Sequence, residues 1–167
     1  MEKVNRPHFN WRDIVFIDII MLVIVADQLS KFWINTRLLP GEILWDSRLL
    51  QIVHVQNTGA AFGIFRGYTT ALIIVDFIGM FVILYLVFVL GRRWPFIRNM
   101  LVLAGMALIM GGLLGNLIDR LRAGYVTDFV NFKFWPVWNI ADASTVAGTI
   151  ILAYCLIFLA GRGQSKE

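Results

Sequence analysis

Cysteine, histidine and charge are all scarce in this chain, and each scarcity closes a line of chemistry. The single cysteine, Cys155, sits inside an apolar run, which rules out an intrachain disulfide and gives the thiol the surroundings of an inert packed residue. His8 in the polar N-terminal tail and His54 alone in a loop have no ligand spacing between them, so no metal site is expected. The net charge of +4 is gathered into no basic stripe or repeated patch, and nucleic acid is not an expected partner. There is no GxSG-like stretch. Ser144 lies two residues after Asp142 and points elsewhere on a helix, and Ser30 adjoins Lys31 rather than facing it, so a serine nucleophile is poorly served. Internal repeats, low-complexity tracts and domain boundaries are missing too, and residues 1–167 read as one integral membrane domain.

What the chain has in excess is apolar surface. Its hydrophobic fraction is 59% and its mean hydropathy +0.73, against roughly 45–50% apolar residues in soluble domains. Four apolar stretches, at about 14–34, 67–91, 99–120 and 140–161, approach the ~20 residues that a membrane-crossing helix needs. Asp18, Asp27 and Lys31 interrupt the first, and Asp76 lies in the second. The basic N-terminus followed by an apolar run has the outline of a secretory signal peptide. No small-residue cleavage pattern closes it, however, and the run is read as a retained span.

Basic residues collect at span ends: Lys3, Arg6 and Arg12, then Arg92, Arg93 and Arg98, then Arg162 and Lys166. This positive-inside pattern puts both termini in the cytoplasm. The expected fold is therefore an all-α membrane protein of four transmembrane helices, N-in and C-in. A small extracytoplasmic β-rich region is expected between helices one and two, from the partial alternation in "LLQIVHVQN" and the turn residues Asn57-Thr58-Gly59. The second outer segment, "AGYVTDFVNFKFWPVW", carries aromatic residues suited to the headgroup level.

That topology sends nearly every strongly polar cluster to the outer side. An ionisable residue at membrane depth needs a partner, a wet cavity or a function. Asp27 and Lys31 are spaced i, i+4 with the acid first, which suits either a structural salt bridge or a place in a site. In "GGLLGNLIDR", Gly112, Asn116 and Asp119 share a helical face, with Gly115 beside it. Close helix packing accounts for the glycines. For Asn116, Asp119 and Arg120 two readings stand, a supported site and a closed helix end. Asp142 fits the first turn of helix four, where the dipole favours an acid, and Asp128 taken alone is a loop acid.

Four blocks together carry a resemblance. "DQLSK" at 27–31, "NTGAAFG" at 57–63, "GGLLGNLIDR" at 111–120 followed by "VTDF", and "NIADAS" at 139–144 resemble, in order and spacing, the bacterial lipoprotein signal peptidases, or signal peptidase II. The resemblance implies a multi-pass enzyme of the bacterial inner membrane, working near the periplasmic face. It would be an aspartic endopeptidase that removes signal peptides from diacylglyceryl-modified prolipoproteins, cutting before the lipidated cysteine, and a target of globomycin. Carried over by position, the catalytic pair would be Asp128 and Asp142. Asn57, Asn116, Asp119, Arg120 and Asn139 would line the site, with Asp27 and Lys31 as the first-helix pair. Expected partners are the prolipoprotein and membrane lipid; no cofactor is expected. Asp18 and Asp76 lie outside the pattern.

The chemistry suits two acids. Like-charge repulsion and desolvation let a close carboxyl pair keep one shared proton, so one member can activate water while the other polarises a carbonyl. Two rivals remain on sequence grounds. A proton-coupled transporter could string Asp18, Asp27, Asp76 and Asp119 into a relay, and an assembly subunit could use the glycine-rich third helix as its interface.

Overall fold

A computed structural model describes residues 10–59 and 67–158. The outermost basic residues Lys3, Arg6, Arg162 and Lys166, together with His8, the "AAFG" part of the second block and the last residues of the fourth expected span, lie outside the described residues. In chain order the elements are α1 (Trp11–Arg37), β1 (Ile43–Asp46), β2 (Gln51–Asn57), α2 (Thr69–Phe88), α3 (Met100–Ala123), β3 (Val126–Asn131) and α4 (Ile140–Phe158). Two short 3-10 turns, Leu90–Arg92 and Pro95–Arg98, join α2 to α3.

Three of the helical segments, Thr69–Arg92, Met100–Ala123 and Ile140–Phe158, are long and apolar enough to cross a membrane. α1 is longer than any of these at 27 residues, but its charged residues leave it outside that group on composition. α3 is the centre of the bundle: 61% of its most apolar window is buried, against 28% and 17% for the other two. α1, α2 and α4 all pack against it.

Small residues set the spacing on α3. A Cβ on Gly112 would overlap the Ala141 carbonyl oxygen and Thr145 Oγ1 of α4, and one on Gly111 would come within 2.7 Å of Val23 on α1. Gly105 and Gly148 face each other across the α3–α4 contact with the same effect. The helix ends are fixed by polar caps. Asn99 Oδ1 accepts the Leu101 N–H at 2.9 Å to start α3, and Gly124, at φ +78°, ends it in the left-handed conformation that glycine adopts without strain. At the bundle end that carries the α2–α3 connection, Asp13 binds Arg98 at 2.7 Å and Arg12 donates to the Arg98 carbonyl at 3.0 Å. Arg12 and the connection thus share one end.

The β region departs from expectation in extent. β1 and β2 do fall between helices one and two, but β3, from the segment after α3, adds to β2 and completes an antiparallel sheet of order β1-β2-β3. The "VTDFVN" stretch has the β-branched and aromatic content of a strand, and pairing to β2 satisfies its backbone. The following aromatic segment turns back through an Asn131 side chain that accepts the Lys133 N–H at 2.8 Å. Trp138 then bridges to Val130, and Phe132 stacks on Phe134 and Trp138.

Gly112→Ala is expected to destabilise the protein by roughly 1–3 kcal/mol or more, because backbone as well as side chain blocks the added methyl. At Gly79→Ala the methyl meets only the far end of Leu113, at 3.0 Å, and the change should be mild. Thermal unfolding of both variants in detergent separates them; equal midpoints would disprove the close α3–α4 approach.

Candidate active site

The site grows from one buried cation. Lys31 on α1 is 2% exposed and reaches Asp27 at 2.8 Å, Asp119 of α3 at 3.2 Å and the Asn116 side-chain oxygen at 2.9 Å. The Asp27–Lys31 pair is thus the helix ion pair that its spacing allows, and it also binds α3. Asp27 also accepts the Ala141 N–H at 3.0 Å, placing a carboxylate from α1 on the N-terminus of α4, where the helix dipole favours it. Gln28 closes the cluster through Asp27, Asp119 and the Gly115 carbonyl. A Cβ on Gly115 would lie 2.6 Å from the Asp27 carboxylate, so this position must be bare.

Asn116 passes the order onward. With its oxygen held by Lys31, its amide nitrogen donates to Asp142 Oδ1 at 2.8 Å. The fully buried Asn139 forms a reciprocal cap with Asp142: Asn139 Oδ1 accepts the Asp142 N–H at 3.0 Å, and Asp142 Oδ2 accepts the Asn139 N–H at 3.3 Å. The helix-start reading of Asp142 is thus realised by one of its oxygens, while the other takes Asn116. Asn139 Nδ2 donates in turn to Asp128 Oδ1 at 2.7 Å and Asn116 Oδ1 at 3.1 Å. One residue therefore touches both acids.

Asp128 arrives from the sheet. Val55 pairs with Asp128 and Asn57 with Val126 in the β2–β3 register, which brings Asn57 Nδ2 to Asp128 Oδ2 at 2.9 Å. Asn57 is aimed by a turn of its own, its oxygen accepting the Gly59 N–H at 2.9 Å. Thr127 N–H donates to Asp119 at 3.0 Å and ties β3 to the end of α3.

A cavity of about 290 Å³ opens beside these groups, lined among others by Asn57, Asn116, Arg120, Asp128, Trp138 and Asp142. The Asn116, Asp119, Arg120 run divides three ways: Asn116 serves Asp142, Asp119 serves Lys31 and β3, and Arg120 reaches Asp76 of α2 at 2.8 Å. All nine residues expected at the site are therefore in this region. Gln28, Thr127 and Asp76 were missed. Gln28 sat inside a quoted block, Thr127 beside Asp128, and only the depth of Asp76 in an apolar run gave it a signal. Asp18 is exposed on α1 with no partner among the described residues, and nothing in the structure explains it. Asp27 and Asp119 are held by Lys31 and Asp76 by Arg120, so the four acids of the imagined relay form no single string.

Comparison with known proteins agrees with this geometry. The family model for signal peptidase (SPase) II matches residues 19–158, which takes in the nine residues expected at the site. The chain belongs to the signal peptidase II family. A lipoprotein signal peptidase of Dehalococcoides mccartyi is 44% identical over 84% of this chain and 88% of its own length. One from Moorella thermoacetica is 40% identical over 91% and 98%. A bacterial membrane enzyme solved by the in meso method at 2.3 Å resolution superposes with a TM-score of 0.80 at 30% identity, covering 92% of this chain and 93% of that one. As a member of this family the chain is a multi-pass membrane peptidase, and its reaction is removal of signal peptides from prolipoproteins.

The electrostatics favour a proton at the site. Burial, then the charge of Asp142, raises the Asp128 carboxyl from the ordinary 3.8 to about 7, against the pull of the Asn57 and Asn139 amides and of Lys31. Because the folded value is the higher one, this proton stabilises the fold fully below about pH 4, and the contribution is lost as pH rises through 7. The thermal midpoint should accordingly fall between pH 4 and pH 7, and Asp128→Asn should flatten that part of the profile. A variant with the wild-type slope would show that Asp128 carries no such proton.

Proposed function

We propose that Asp128 and Asp142 are the catalytic pair of this peptidase and that the prolipoprotein is cut before a diacylglyceryl-modified cysteine. The observation that carries this reading is Asn139, which contacts both carboxyl groups and leaves them on one cavity. With a single proton between them, one aspartate, ionised, removes a proton from water as the oxygen attacks the scissile carbonyl carbon. The other, protonated, hydrogen-bonds the carbonyl oxygen and transfers its proton as the tetrahedral intermediate forms. Collapse of that intermediate breaks the C–N bond. The amine takes the proton that the first aspartate acquired, a hydroxyl of the gem-diol returns its proton to the second aspartate as the product carboxyl group forms, and the pair again holds one proton. The two carboxyl groups titrate as a unit. Arg120 and the Asn side chains supply donors around the substrate.

The reading includes four membrane spans, with both termini in the cytoplasm and the site at the periplasmic face of the inner membrane. Two features support it. Arg12, Arg92, Arg93 and Arg98 cluster at the bundle end opposite the acids. α1 turns Leu22, Val25, Leu29 and Phe32 outward while Asp27 and Lys31 are buried, so a lipid neighbour meets a largely apolar helix. The substrate fits that placement, since an apolar signal helix lies in the bilayer and a lipidated cysteine fixes the scissile bond near its surface.

Purified protein in detergent, given a diacylglyceryl-modified prolipoprotein, is expected to cleave it in the presence of chelators and serine reagents and to leave an unlipidated control uncut. Asp128→Asn and Asp142→Asn should each lose at least roughly 10²–10⁴-fold in rate while inserting normally. Activity surviving in either variant would remove that residue from the mechanism.

A further inference from the structure

Asp76 had no role in the peptidase reading of the sequence and lies outside the motifs that carry the family resemblance. It is a buried carboxylate on α2, in a segment long and apolar enough to cross a membrane. Taking an acid and its arginine out of water costs several kcal/mol per ion, and two apolar side chains of similar volume would join α2 to α3 at least as well. Stability alone gives no reason for the pair.

Its position does. Asp76, Arg120, Asp128 and Asp142 line the same cavity. A guanidinium keeps its charge at any working pH and carries five N–H donors. Without a nearer acid, Arg120 would be drawn to the two aspartates opposite and would favour their ionised forms, removing the proton on which the pair depends. Asp76 is the nearer acid, taking Arg120 Nη1 on its Oδ2 at 2.8 Å. The other cation of the region is already committed, Lys31 being shared between Asp27 and Asp119.

We infer that Asp76 is a positioning residue: it holds Arg120 on the α2 side of the cavity, off the Asp128–Asp142 pair and in place to donate to carbonyl groups of the bound signal peptide. This rests on the reading of those two aspartates as the catalytic pair. The charged and polar groups facing the pair are Asp27 and Lys31 from α1, Asn57 from β2, Asp76 from α2, Asn116, Asp119 and Arg120 from α3, and Asn139 at the start of α4. Of these, only Asp76 binds Arg120 among the described residues.

The test uses the full-length protein in detergent with the lipidated prolipoprotein, measuring kcat, KM and their pH dependence. Asp76→Asn is expected to lower kcat/KM by roughly tenfold or more and to move the acid limb of the profile to lower pH, because a released Arg120 favours ionised Asp128. In an Arg120→Gln background the same change should cost nothing further. Asp76→Glu keeps the charge but displaces the guanidinium, and should raise KM roughly threefold or more with the pH profile unmoved. A merely structural Asp76 would lower the thermal midpoint and leave kcat, KM and pH profile untouched in the folded fraction; that result overturns the inference. So does an equal loss in the two Arg120 backgrounds. If Asp76→Asn does not fold, an unchanged KM in Asp76→Glu overturns it as well. Asp128→Asn is run alongside: if it cleaves, the catalytic reading itself fails, whereas an inactive Asp128→Asn beside a normal Asp76→Asn sinks only the role of Asp76.

Discussion

The side chain of Asn139 is the constraint that the acid site obeys. It is wholly removed from solvent, so each of its polar atoms must find a partner in the protein. Its oxygen starts α4, and its nitrogen fixes an oxygen of Asp128 and one of Asn116. No side chain other than a carboxamide offers an acceptor and two donors at that reach. The acids are consequently placed by the same bonds that cap the helix, and neither can shift without leaving a buried donor unpaired.

Behind Asn139 the order descends to a balanced set of charges. Lys31 between Asp27 and Asp119 satisfies two acids and orients Asn116. Packing makes this possible: bare positions at Gly111, Gly112 and Gly115 bring α1 and α4 close enough to α3 for short side chains to span the gaps. Apolar contact sets the distances, and polar contact selects one arrangement at those distances.

Much of this was legible in the sequence because lipid makes polar residues informative. Asp27, Lys31, Asn116, Asp119, Asn139 and Asp142 stood out as polar groups beside apolar runs, and their shared end followed from helix direction and the basic residues. What sequence could not give was pairing between distant segments. That β3 joins β2, and so carries Asp128 to an Asn57 that is 71 positions away, depends on pairing for which local alternation holds no signal. Asp76 was visible but unassigned for the same reason, its partner lying one helix away. On α1, Asp13 meets Arg98 and Lys31 meets Asp119, partners that only the folded bundle supplies.

One of those long-range bonds joins the first helix to the last. Asp27 receives the N–H of Ala141, so the carboxylate that steadies the start of α4 is made more than a hundred residues earlier than the helix it caps. During synthesis that acid has only Lys31 and Gln28 of its own helix as partners until the start of α4 has been made. A nascent copy therefore lacks this contact until α4 has been made, and with it the fixed start of the helix that carries Asp142.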